Sequence, residues 1–266
     1  RDTIALNTNW QFKIDKKTEG FDKLWFSNNW NDGRVVTVPH TWNIEKENET
    51  HYGWGWYQKK LFVPAKWKNK QLVLQFGAIN HTATIYVNGK KVKENIGDGF
   101  NKFFINLDGV LNFNADNTIT VACNNDFGKM KVPYTNSFDW PNDGGLIREV
   151  ALLVSNRPAM AYAHITPKLN VETNQGNLKI RIGLQQTKSN QNLKFKIQIA
   201  EDNQPTHHIV LESTVKPVWE NGEAVLTLKI PKVNPWHFDF PNLYRADISL
   251  LNRGKATDRI SSSFGF

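Results

Sequence analysis

The sequence predicts an all-β protein built as two sandwiches, a jelly roll followed by an immunoglobulin-like domain. Three observations carry this. Apolar residues recur with period two in almost every patterned segment, and no run of period 3.6 lasts longer than about two turns. Asparagine-glycine and related turn signals separate the runs. The chain has 266 residues, more than one core usually spans, and domains of about 100 to 150 residues are the commonest, so two are expected.

In chain order the strands are predicted at 56–64, 70–78, 81–89, 117–124 and 146–155, then at 168–174, 177–186, 193–201, 224–231 and 243–252. Asn88-Gly89, between TATIYV and KKV, marks a tight hairpin, because both central positions of a type I′ turn need positive φ. Asn221-Gly222 and Arg253-Gly254 read as further turns. A boundary is predicted near SNRPAMAYA (155–163), where the strand pattern breaks and the aromatic loading drops; eight of the ten tryptophans precede it. The domains are therefore placed at 1–156, with long aromatic loops that suit a jelly roll, and 157–266, with short, evenly spaced strands that suit an immunoglobulin-like sandwich.

Composition narrows the function. The formal charge of +8 raises the question of nucleic acid, but Lys59, Lys60, Lys90, Lys91, Lys179 and Lys194 fall on alternate strand positions or at turns. They do not cluster with aromatics, so nucleic acid is not an expected partner. Tryptophan abundance suggests a surface for flat ligands, and sugars are the usual partners of exposed indoles. The single cysteine, Cys123, shares a strand face with Ile119 and Val121 and reads as a buried, inert thiol. With one cysteine no internal disulfide framework can form. There is no apolar run long enough to span a membrane. The start at Arg1-Asp2-Thr3 reads as a processed chain, which favours a periplasmic or secreted location and leaves the cytoplasm open.

Metal-ligand spacing is absent: His207 and His208 are adjacent in a polar loop and the other histidines are scattered. Phosphate loops, GxSxG elbows and HExxH motifs are missing as well. Carboxylates remain, since glycoside hydrolysis needs only a pair of them. Most lie in polar runs and read as solvated. Asp139 stands apart because Phe138 and Trp140 flank it, which predicts reduced exposure.

Four stretches of the first part resemble the N-terminal region of glycoside hydrolase family 2 enzymes, the β-galactosidases, β-glucuronidases, β-mannosidases and their relatives. VPHTWN (38–43) is similar to the family's PHDW segment, and GWGWYQKKLFVP (53–64) to its strand ending in V-P. HTATIYVNGKKV (81–92) is similar to its V-Y-V-N-G-K hairpin, and DWPNDGGLIREV (139–150) to its G-G-I-x-R-D-V loop and strand. In the second part NPWHFDFPNLYRADISL (234–250) resembles the family's P-x-L-Y segment, and SSSFGF (261–266) its F-G-F-R entry to the next domain.

The resemblance implies a galactose-binding-like jelly roll and an immunoglobulin-like domain, with the acid/base and nucleophile glutamates on a (β/α)₈ barrel outside these 266 residues. It implies a retaining exo-β-glycosidase, a β-galactosidase in the first instance, with β-glucuronidase, β-mannosidase or a stand-alone carbohydrate-binding module as alternatives. No catalytic residue is expected in the chain, and alone it is expected to be inactive. Implied partners are a carbohydrate substrate and the enzyme's own catalytic barrel, in assemblies from monomer to tetramer. No organic cofactor is implied, and any metal ion would belong to the catalytic domain. By the family's spacing, Asp139, nine residues before Arg148, is the carboxylate that reaches the sugar. Asn142 and Trp140 on the same loop, and Asn43, are further candidate sugar contacts. Thr41 replaces the acid of PHDW. Gly144 and Gly145 are assigned to backbone shape and Arg148 to a buried ion pair. Asn48-Glu49, which matches the family's acid/base dipeptide, lies in a polar run and reads as coincidence.

Overall fold

A computed structural model describes the chain except for Met130, Pro133, Ser137, Phe138, Trp140 and the stretches 186–191 and 203–207. The backbone separates into two compact units, Asp2–Val154 and Ser155–Phe266 together with Arg1.

The first unit carries strands β1 (Asp2–Ala5), β2 (Trp10–Asp15), β3 (Arg34–Val36), β4 (Trp54–Val63), β5 (Gln71–Phe76), β6 (Thr82–Val87), β7 (Lys90–Asn95), β8 (Phe103–Asn106), β9 (Ala115–Asn124) and β10 (Val150–Ser155). They form a six-stranded sheet in the order β3-β2-β4-β9-β6-β7 and a four-stranded sheet in the order β1-β10-β5-β8. Alternation decides which side chains fill the jelly roll. Trp10 and Phe12 of β2, Tyr57, Leu61 and Val63 of β4, Ile85 and Val87 of β6, and Val121 and Cys123 of β9 point inward from one sheet. Leu72, Leu74 and Phe76 of β5 and Val150, Leu152 and Val154 of β10 share that core from the other. Burying each such side chain contributes roughly 1.5–3 kcal/mol.

The six-stranded sheet is buried on its other face too. Trp56, Tyr86 and Ala122 point away from the main core and meet Trp30, Phe21, Trp25, Phe26 and Trp54 in a second cluster. Asp15 anchors the covering loop by accepting from the backbone N–H groups of Glu19 and Gly20 and from Trp56 Nε1, at 2.9, 2.9 and 3.1 Å. Most indoles therefore serve the interior. Trp10, Trp42 and Trp56 are fully buried and Trp30 nearly so, which corrects the expectation of a broad sugar-stacking surface; among the described tryptophans only Trp236 is exposed.

The second unit carries β11 (Met160–Asn170), β12 (Gln175–Leu184), β13 (Leu193–Glu201), β14 (Ile209–Val215), β15 (Val218–Glu220), β16 (Glu223–Ile230), β17 (Tyr244–Asn252) and β18 (Lys255–Phe264). Its sheets run β11-β12-β16-β15 and β14-β13-β17-β18, the strand arrangement of an immunoglobulin-like sandwich. Leu193, Phe195, Ile197 and Ile199 alternate inward along β13, while Lys194 and Lys196 face solvent. The three glycine turns form as predicted, with Asn88, Asn221 and Arg253 at φ near 50° followed by glycines at 77°, 84° and 79°.

Two strand predictions shift. The run 146–155 is a strand only from Val150, because Gly145 and Leu146 bond out of ladder register to Asn80 and His40. The segment 168–174 is the end of β11 and the turn after it, with Asn174 at φ 54°. Arg148 is exposed and forms no ion pair among the described residues, so its expected buried ion pair is also corrected.

Candidate functional site

The segment between β9 and β10 leaves the jelly roll at Asn124 and returns at Val150, and its return is clamped by buried asparagines. Asn43, in a short 3₁₀ turn at Trp42–Ile44, is the hub. Its Nδ2 donates to the carbonyls of Asn48, Glu49 and His51 at 3.3, 3.2 and 3.0 Å. Its Oδ1 accepts from Gly144 N at 2.8 Å and from Asn125 Nδ2 at 3.0 Å. Asn125 Nδ2 also reaches the carbonyl of Asn142 at 2.6 Å, and Asn142 Nδ2 returns a bond to the carbonyl of Asn125. Asn80 Nδ2 donates to Asn142 Oδ1 at 2.9 Å and to the carbonyl of Asp143 at 2.8 Å. Asparagine suits this task because one planar amide both donates and accepts, and can pair with irregular backbone that no ladder satisfies.

The glycine pair is required by the space left to it. A side chain at Gly144 would meet the Trp42 ring at 2.2 Å, and one at Gly145 would meet the His40 carbonyl oxygen at 2.3 Å. Gly145 also has φ of 141°, a conformation other residues rarely adopt. Its N–H and C=O pair with Asn80 at 3.0 and 2.9 Å, and His40 N donates to the Leu146 carbonyl at 2.8 Å. Behind this turn runs a polar chain. Tyr57 Oη lies 2.7 Å from His40 Nδ1, and His40 Nε2 lies 3.1 Å from Glu45 Oε1. Glu45 is held in turn by Arg34 and by Asn48 Nδ2 at 2.9 Å. Burial pushes the His40 imidazole below its ordinary value, although hydrogen bonding to Glu45 opposes the shift. Burial also raises the Tyr57 phenol well above its usual value. A neutral imidazole thus accepts from the tyrosine at Nδ1 and donates to Glu45 from Nε2.

The predicted site residues divide sharply. Asn43 and Asn142 are buried, and their amides are spent on the clamp. To reach them as sugar contacts, a sugar hydroxyl would have to displace bonds already made inside the protein. Trp140 lies outside the described residues. Asp139 is exposed, against the expectation of reduced exposure, and accepts no hydrogen bond from any described residue; Phe138 lies outside the described residues as well. The same loop carries Asp143, whose carboxyl is raised by burial. Lys131 donates to the Asp126 carbonyl, and its pKa is lowered by burial. His81 Nε2 accepts from Val132 N at 3.2 Å.

Sequence reasoning missed Asn80, Asn125 and Asp143. Asp143 sits between Asn142 and Gly144, a visible signal, but nothing in the strand pattern links Asn80 or Asn125 to the loop. Cys123 is as inert as predicted: burial pushes its thiol up to about 12 and Sγ donates to the Asn80 carbonyl at 3.0 Å. Asn48 is buried and Glu49 exposed in the turn that Asn43 organises, with no catalytic geometry. His207 lies outside the described residues. Among those described, no cluster of three or more histidine, cysteine or acidic side chains could hold a metal ion, and no helix is long and apolar enough to cross a membrane.

Comparison with known proteins places this architecture. Residues 4–156 match the model of the glycosyl hydrolases family 2 sugar binding domain, and residues 160–266 match the glycosyl hydrolases family 2 model. The chain is 25% identical over 279 residues to a β-glucuronidase of Bacteroides fragilis, covering all of this chain and 38% of that protein. It is 27% identical over 285 residues to a β-galactosidase of Thermoanaerobacterium thermosulfurigenes, of which it spans 37%. Among solved structures, a β-glucuronidase from an uncultured Clostridium species superposes with a TM-score of 0.78 at 25% identity, and the chain covers 44% of it. A putative β-galactosidase from Bacteroides fragilis superposes with a TM-score of 0.83 at 24% identity, which shows the shared fold. Both units thus match domains of one established architecture, and the chain belongs to glycoside hydrolase family 2.

Proposed function

We propose that this chain is the non-catalytic part of a retaining exo-β-glycosidase that removes terminal β-linked sugars. On this reading the loop between β9 and β10 presents Asp139 to a pocket completed by a (β/α)₈ barrel outside these 266 residues. The observation that carries it is the contrast within one loop: four buried asparagines fix the returning segment, while Asp139 stands in solvent with both oxygens unused by described residues. An ionised carboxylate can accept from two neighbouring hydroxyls, the pattern a terminal sugar offers. β-D-Glucuronides are the first substrates to test, because relatives named β-glucuronidase recur among both the sequence and the structural matches. β-Galactosides come second, on the relative from Thermoanaerobacterium. The full-length enzyme is expected to hydrolyse a 4-nitrophenyl β-D-glycoside of one of these sugars with retention, while the 266-residue chain stays at background. Turnover by the purified 266-residue chain would overturn this division of labour.

A further inference from the structure

The second unit displays three aromatic rings that its own core does not use. Trp236, Phe238 and Phe240 are 50%, 74% and 71% exposed, on a tight hairpin between β16 and β17. The hairpin is well built. His237 and Phe240 exchange backbone hydrogen bonds at 3.1 and 3.0 Å, Trp236 bridges to Pro241, and Asn242 Nδ2 donates to the Pro235 carbonyl at 2.9 Å. Its neighbours show that aromatic side chains here do turn inward where the fold needs them: Tyr244, Phe264 and Phe266 pack on one another with ring centres 5.3–6.0 Å apart. The outward display of the other three is thus a feature of a braced turn.

We propose that this hairpin is the seat of the polypeptide that follows Phe266 in the whole enzyme, an apolar face of its catalytic domain. The inference rests on the reading given above. Three observations select this occupant. The first is position: Trp236 N donates to the Phe266 carbonyl at 2.7 Å, so a continuing chain sets out from the foot of the hairpin. Gly265 lets it pass, since a side chain there would meet Trp236 at 2.9 Å. The second is charge: the ionisable groups on the hairpin are His237 and Asp239, 3.5 Å apart, so it carries none of the lysines and arginines behind the chain's formal +8 and suits a largely apolar partner. The third is area. At 150–250 Å² per ring, three partly exposed aromatics offer roughly 400 Å², about half of the ~800 Å² per partner that a stable free interface needs. A tethered partner meets the patch at high effective concentration and needs no such area.

Hydroxyl-radical footprinting of the 266-residue chain and of the full-length enzyme tests this. Oxidation of Trp236, Phe238 and Phe240 is expected to fall by about tenfold or more in the full-length enzyme, as for side chains moved from solvent into a protected contact. Equal oxidation in the two would overturn the proposal. So would protection that appears in the 266-residue chain as its concentration rises, since a second copy would then be the occupant. The double variant Phe238→Ser/Phe240→Ser gives an independent check. It is expected to leave melting of the 266-residue chain unchanged and to hasten proteolytic release of the two units from the full-length enzyme; an unchanged release rate counts against the proposal. Neither readout uses glycosidase activity, so a wrong substrate or a failed catalytic reading leaves this test intact.

Discussion

Asn43 shows how much one side chain can hold. Its amide satisfies three carbonyls of the Asn48–His51 turn and the N–H of Gly144, some hundred residues away, while accepting a further bond from Asn125. Removing it strands several buried polar groups at once, and each such group costs about 1–3 kcal/mol. Asn43→Ala is therefore expected to lower the stability of the first unit by about 2–4 kcal/mol, read by urea denaturation followed through tryptophan fluorescence. A loss within about 0.5 kcal/mol, the range of ordinary surface substitutions, would show that the clamp does not bear on folding. Asp139 is the opposite case, exposed and unused by the described residues. Its replacement is expected to be silent in the same urea denaturation, which separates support from function within one loop.

At the scale of elements, the clasp of His40, Tyr57 and Glu45 binds the PHTWN segment and β4 to the loop behind Gly145. It also makes the first unit sensitive to acid. The imidazole of His40 lies below its ordinary 6.5, chiefly through burial, and that of His81 is lowered by burial and by Lys131. As pH falls below about 6.5 the unfolded chain takes up these protons before the folded one, so stability is full above that pH and declines below it. Burial alone would raise the Glu45 carboxyl, but hydrogen bonds from Arg34, Asn48 and His40 together hold it below its ordinary 4.5, so its contribution is present above that value and fades only at lower pH. The melting temperature is expected to hold between pH 8 and 7 and fall between about pH 6.5 and 5, with a shallower fall in His40→Gln. A parallel slope in that variant would remove His40 from the account.

The long strands were legible in the sequence because alternation is a local signal: β4, β6, β9, β13 and β17 lie where period two puts them. Short or edge elements such as β1, β3 and β15 were not, since a few half-exposed residues carry too little pattern. The loop's two glycines and its acid were also legible, though not the acid's exposure. The fate of Asn43 and Asn142 was not, because an asparagine beside a glycine turn looks the same whether its amide meets a ligand or a distant backbone carbonyl.

At the scale of the whole molecule, each unit has its own core. The first spends its described tryptophans on both faces of the six-stranded sheet, and the second leaves rings outward at Trp236, Phe238 and Phe240. Such a pair of sandwiches is a scaffold, with a carboxylate on one unit and an apolar hairpin on the other that the scaffold itself does not need. Both features make sense if a catalytic domain completes the enzyme. The most direct test is kcat/KM of Asp139→Ala in the full-length enzyme on its preferred 4-nitrophenyl β-D-glycoside. Hydrogen bonds to a charged group contribute about 1.5–3 kcal/mol, so a fall of roughly ten- to hundredfold with an unchanged melting temperature is predicted. An unchanged kcat/KM would contradict the central claim and leave the loop a structural part of the jelly roll.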